Sequence, residues 1–125
     1  MLIIAGTIPA KDFPLTVGPL SREGDNLVID GRSVHCTQGT GAMASAALAT
    51  TSYMGVEPPV AVLAGDTGQG KGSREIYGYL TANIAKLAPD VLALHYWLPN
   101  IKQTWTLCEA VRKCRKKPLL IADAG

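Results

Sequence analysis

The chain has 125 residues, 47% of them hydrophobic and 18% charged, so it reads as one folded domain with a buried core, not a disordered segment. Its net charge of +2 is too small to argue for nucleic acid or a membrane surface as partner. The three cysteines, Cys36, Cys108 and Cys114, are odd in number and form no CxxC pair, which points to reduced thiols and a cytoplasmic setting.

Leu2–Ala5 reads as a short apolar strand ending at Gly6-Thr7. No basic run precedes it, so it reads as a first strand rather than a signal peptide, and no apolar stretch approaches the roughly 20 residues that span a bilayer. The following IPAKDFPLTVGP carries Pro9, Pro14 and Pro19 and reads as a loop with at most an extended segment. Asn26–Cys36 places Asp30-Gly31 between two strand-like runs, a strong hairpin signal. A polar linker then leads to AMASAALATTSYM, whose small side chains suit a helix packed close to a sheet. Gly55 stands as its C′ glycine, and Glu57-Pro58-Pro59 ends the element.

Val60–Ala64 is a β-branched, apolar run that breaks at Gly65 into a loop with further glycines at 68, 70 and 72. Ser73 opens a segment with Ile76, Leu80, Ile84 and Leu87 at helical spacing. Strand, glycine-rich loop and helix is a common way to present backbone N–H groups to an anion. Asp90–Tyr96 reads as a second buried strand. Pro99–Cys114 reads as a helix with Ile101, Trp105, Cys108 and Val111 on its inner face. The basic run from Arg112 to Lys117 suits a solvated helix end, and no aromatic interleaving there supports nucleic-acid binding. Pro118–Ala122 is a last strand, ending at Asp123.

Strands alternating with helices predict a single α/β domain over residues 1–125 with a mainly parallel sheet and flanking helices. Right-handed crossovers then bring Gly65, His95 and Asp123 to one edge, at the carboxyl ends of the strands. Asp12, Asp66 and Asp123 each stand near a strand end, where carboxylates take hydroxyls or metal, or simply cap a turn. Gly39 and Gly41 form a second glycine-rich approach to a helix. His95 reads as a core histidine, and His35 and Cys36 point to opposite faces of a strand, so no metal site is predicted. Gly65 to Gly72 nearly fits the P-loop pattern GxxxxGK[ST], with Gly70, Lys71 and Ser73 as phosphate-binding candidates. However, Gly72 stands where Ser or Thr should bind magnesium, and Ser73 comes one residue late.

Gly39-Thr40-Gly41-Ala42 through Ala49, Met54-Gly55, Ala64-Gly65-Asp66-Thr67-Gly68 and Leu80 together resemble the N-terminal half of a ribokinase-like protein. Asn26–Cys36 is similar to the small β lid of that fold. Leu120-Ile121-Ala122-Asp123-Ala124 is similar to the strand-end aspartate motif of its NAD(P)H-hydrate dehydratase and vitamin-kinase branches. The resemblance implies a substrate-binding half, with Asp12, Gly39, Gly41, Gly65, Asp66, Gly68 and Asp123 along the ligand edge. Two departures matter. Met43 and Ala44 occupy the neighbourhood where the sugar kinases carry a substrate-holding asparagine, and the chain reaches Gly125 without the GxGD segment that bears the family's catalytic aspartate. The resemblance therefore implies a small-molecule-binding unit that is not a kinase by itself. ATP or ADP with Mg2+ would enter only with a C-terminal half. Two other readings stay open, a P-loop-like nucleotide-binding module and a non-catalytic assembly subunit. The expected partners are a small-molecule substrate and either a second copy or a complementary C-terminal half.

Overall fold

The computed structural model describes residues 1–123, so Ala124 of the strand-end motif lies outside the described residues. The order is β1 (Leu2–Ile8), β2 (Thr16–Glu23), β3 (Asn26–Ile29), β4 (Arg32–Val34), α1 (Gly39–Met54), β5 (Val60–Gly65), α2 (Lys71–Leu87), β6 (Val91–His95), α3 (Ile101–Arg112) and β7 (Leu119–Asp123). The strands make one sheet in the order β4-β3-β2-β5-β1-β6-β7.

The parallel part is β5-β1-β6-β7, built from the apolar runs that the sequence marks as strands. The expectation of a mainly parallel sheet holds for this core only, because β2, β3 and β4 join in antiparallel fashion. The sheet as a whole is mixed. The cause is β2, which falls in the proline-rich stretch expected to be a loop. Thr16–Pro19 pair with β5, and Leu20–Glu23 pair with β3. Pro19 thus sits where the strand changes partners, a position where a missing N–H disturbs the ladder least. The hairpin forms as expected: Asp30 and Gly31 both take positive φ, 47° and 71°, in a two-residue turn. It continues the sheet through β2 instead of standing apart from it, and its end forms one wall of a cavity described below.

Alternate residues of the strands face two apolar layers. On one face Ile4, Ile8, Ala61 and Leu63 pack with Ala44 and Leu48 of α1 and with Leu20, Leu27 and Ile29. On the other, Ile3, Ala5, Val62, Ala64, Leu92 and Leu94 pack with Ile76, Leu80 and Ile84 of α2. Each such fully buried aliphatic side chain contributes ~1.5–3 kcal/mol. The small side chains of α1 let it sit close: a Cβ on Gly41 would stand 2.0 Å from the His35 carbonyl oxygen. Gly55 ends that helix with φ 67°, as its C′ position suggested.

The α3 helix keeps part of the expected inner face, with Val111 buried and Cys108 half-buried, and corrects the rest. Ile101 and Trp105 are 82% and 61% exposed, while Leu107 and Val111 are buried. The helix packs on α2 through a face that includes the polar Thr104, whose hydroxyl shares a 2.8 Å hydrogen bond with the Tyr77 hydroxyl. Leu107 and Val111 of the same helix join the core on that side. At the sheet's end, Leu119, Leu120 and Ile121 of β7 are all exposed. Among the described residues no helix is long and apolar enough to cross a membrane.

Candidate functional site

Helices α1 and α2 lie on opposite faces of the sheet, yet both begin at its carboxyl edge. Thr40, at the start of α1, is 1% exposed and donates its hydroxyl proton to the Thr7 carbonyl at 2.7 Å. That proton being committed, the 3.1 Å contact between Thr40 Oγ1 and His95 Nδ1 is donated by the imidazole. His95 Nε2 lies 3.5 Å from the Asp123 carboxylate, its register partner on β7. The imidazole is held between Thr40 and Asp123, which fits the core-histidine reading. Thr7, Thr40, His95 and Asp123 therefore tie β1, α1, β6 and β7 together at one point. Only His95 and Asp123 were foreseen there as neighbours.

The loop from Asp66 to Gly70 turns inward on itself. Asp66 Oδ1 accepts from the N–H groups of Gly68, Gln69 and Gly70 at 3.0, 2.9 and 3.0 Å. Oδ2 accepts from the Ser73 N–H at 3.2 Å and its hydroxyl at 3.4 Å. Burial by itself would raise this carboxyl's pKa, but the N–H groups of Ser73, Gly70, Gly68 and Gln69 outweigh it and hold the pKa below the usual range. The protein's own carboxylate thus stands where a P-loop would hold phosphate.

The rest of the near-P-loop pattern fails on geometry. A Cβ on Gly72 would lie 2.5 Å from the Gly65 carbonyl oxygen, so no hydroxyl-bearing ligand for magnesium fits at that position. The Ser73 hydroxyl accepts from the Leu98 N–H at 2.9 Å and donates towards Asp66, so it joins two loops. Lys71 is exposed on the first turn of α2, and Gly70 is buried with φ 74°. The residues present do not fit a nucleotide phosphate with its metal, and no step through one follows.

Three adjoining cavities run along the carboxyl edge. The first, about 510 Å³, lies between the loop after β1 (Ile8, Pro9, Ala10, Phe13), the end of the hairpin (Val34, His35) and Gln38 and Gly41. The second, about 280 Å³, is lined by Thr7, Pro9, Gln38, Gly39, Thr40 and Tyr96. The third, about 400 Å³, is lined by Thr7, Asp66, Gly68, Ser73 and the segment from Tyr96 to Pro99. Pro9 and Gln38 are common to the first two, and Thr7 and Tyr96 to the last two, so the three make one trough.

Of the residues expected along a ligand edge, Gly39, Gly41, Asp66 and Gly68 line this trough. Gly65 lies beneath it as a packing position, where a Cβ would meet the Ala10 carbonyl oxygen at 2.0 Å. Asp12 is exposed in the turn after β1 and is not part of the lining, and Asp123 is engaged with His95. Sequence reasoning missed Thr7, Gln38 and Tyr96. The only signal for them was position, one at each strand end and one just before a helix.

Comparison with protein-family models, with curated proteins and with solved structures finds no match to this chain, so its resemblance to ribokinase-like proteins rests on the residues quoted above.

Proposed function

We propose that this chain is a small-molecule-binding α/β domain, akin to the substrate-binding half of a ribokinase-like kinase or dehydratase, with its ligand in the trough at the carboxyl edge. One observation carries the reading: three joined cavities lie where helices from opposite faces of the sheet both begin, the usual place for a ligand in an open α/β sheet. The P-loop alternative loses its support, because five donors of the loop and first helical turn are taken by Asp66.

Amide NMR titration of the whole chain tests this. A bound ligand should move the resonances of Thr7, Gln38, Gly39 and Tyr96. Mg-ATP that moved only Gly68 to Ser73 would restore the P-loop reading. A role in assembly keeps independent support from the exposed Leu119, Leu120 and Ile121 on the sheet's outer strand.

A further inference from the structure

Tyr96 is a residue that the fold holds under strain and leaves largely exposed, its ring tilted against that of His95 with centroids 4.9 Å apart. Its φ is 51°, in the left-handed region that a bulky aromatic residue rarely adopts. Its neighbours keep it there. The Thr7 hydroxyl donates to the Tyr96 carbonyl, and the Leu98 N–H donates to Ser73. Between them, the Trp97 ring stacks on Tyr77 with centroids 4.1 Å apart and planes 15° from parallel. A loop fixed at three successive residues presents an aromatic residue that is 57% exposed and lines both the second and third cavities. Strain of this kind persists only where the surroundings enforce it, and it concentrates at ligand sites.

The charge of the lining is equally specific. Among the described residues no lysine or arginine lines any of the three cavities. The carboxylate in the third, Asp66, is already bonded to its own loop. In the second and third cavities an ionised ligand group would lose its hydration without gaining a counter-charge, which is costly. The Gln38 amide, and the Thr7 hydroxyl oxygen as an acceptor once its proton has gone to the Tyr96 carbonyl, instead suit the polar rim of an uncharged molecule.

We infer that Tyr96 is a stacking platform and that the trough takes a neutral, flat-ringed compound, with the ring against Tyr96 and its polar substituents towards Thr7 and Gln38. This rests on the trough being the ligand site, as proposed above, and adds the class of ligand and the residue that selects it. The polar edge gives register, and the ring face gives the apolar contact. Such ring pairing is worth enough to change affinity about tenfold.

Three probes separate the possibilities: nicotinamide, which is flat and neutral; nicotinate, the same ring with a charge; and D-ribose, a neutral ring that is not flat. NMR titrations of the whole chain should give nicotinamide an upfield ring-current shift and the highest affinity, with nicotinate several-fold weaker. Tyr96→Phe should keep that affinity. Tyr96→Gly and Tyr96→Asn, which tolerate positive φ, should lose about tenfold while melting at or above the parent temperature. A purely structural ring would give the reverse: a lower melting temperature and unchanged affinity in both variants, which overturns the inference. Ribose binding in the trough regardless of Tyr96, with nicotinamide failing to bind, would also overturn it and leave the functional proposal standing. If none of the three probes moves a trough resonance, that proposal falls together with the inference.

Discussion

Asp66 accepts from both the N–H and the hydroxyl of Ser73, at 3.2 and 3.4 Å, and Ser73 in turn receives the Leu98 N–H at 2.9 Å. One carboxylate therefore organises its own glycine loop, the first turn of α2 and the loop that carries Tyr96. Replacing it leaves several N–H groups without their acceptor. Asp66→Ala should destabilise the chain by about 2 kcal/mol, as loss of a charged cap does. Chemical denaturation at neutral pH measures it.

The pH dependence follows from the same contacts. The Asp66 pKa is lowered in the folded protein from an ordinary value of 3.8, so the folded state binds its proton more weakly than the unfolded state. Its stabilisation is complete above the ordinary value and is lost as pH falls through the lowered folded one. Asp90 acts in the same direction, because Lys116 and the Met1 amine hold its pKa at about 2. The difference in stability between the parent and Asp66→Asn should therefore shrink steadily as pH falls below 3.8. A difference that stayed constant down to strong acid would mean that the carboxylate's charge is not what the loop uses.

Lys71→Ala should leave any ligand affinity within a few-fold, because Lys71 is exposed and lies outside the lining of the trough. Calorimetric titration decides it. A loss of about a hundredfold, near 2.7 kcal/mol, would bring back the P-loop reading.

Gly72→Ser would complete the P-loop pattern on paper. In this fold the new Cβ would press on the Gly65 carbonyl oxygen at 2.5 Å, backbone that cannot swing away. The expected result is a stability loss of about 1–3 kcal/mol and no magnesium-dependent ATP binding. Thermal melting with and without Mg-ATP checks both halves of the statement.

What could be read from the sequence was local. The Asp30-Gly31 turn, the apolar run at Val60 and the spacing of Ile76, Leu80 and Ile84 each carry their own physics within a few residues. The misses are positions where tertiary partners decide. Pro19 argues against a strand until one sees that pairing passes from β5 to β3 at that point. Apolar spacing in α3 favoured Ile101, Trp105, Cys108 and Val111; Val111 is buried, but the first turns meet α2 through Thr104, which bonds the Tyr77 hydroxyl, and leave Ile101 and Trp105 in solvent. At the site, Gly39 and Gly41 were visible as a glycine pair. Thr40 was not singled out, since its contact with His95 spans 55 positions. Nothing in the residues around Tyr96 announces a positive φ, because that φ is imposed from outside by Thr7, Tyr77 and Ser73.

The last prediction concerns the outer strand. Among the described residues β7 pairs with β6 alone, and Leu119, Leu120 and Ile121 are 62%, 43% and 50% exposed. Successive strand residues point to opposite faces, so apolar side chains meet water on both sides of β7. Parallel strands are normally covered on both faces, and an open edge is a template for pairing with another chain. The arrangement should make the chain associate with itself at micromolar concentration, through β7 and its apolar neighbours. Light scattering should show a mass that rises with concentration. Ile121→Lys should return it towards the monomer without lowering the melting temperature, since that side chain is already half in solvent. A monomer at every concentration would show that this strand is tolerated bare. Association that Ile121→Lys leaves intact would move the interface to another exposed group, the Ile101 and Trp105 stripe of α3 being the first to test.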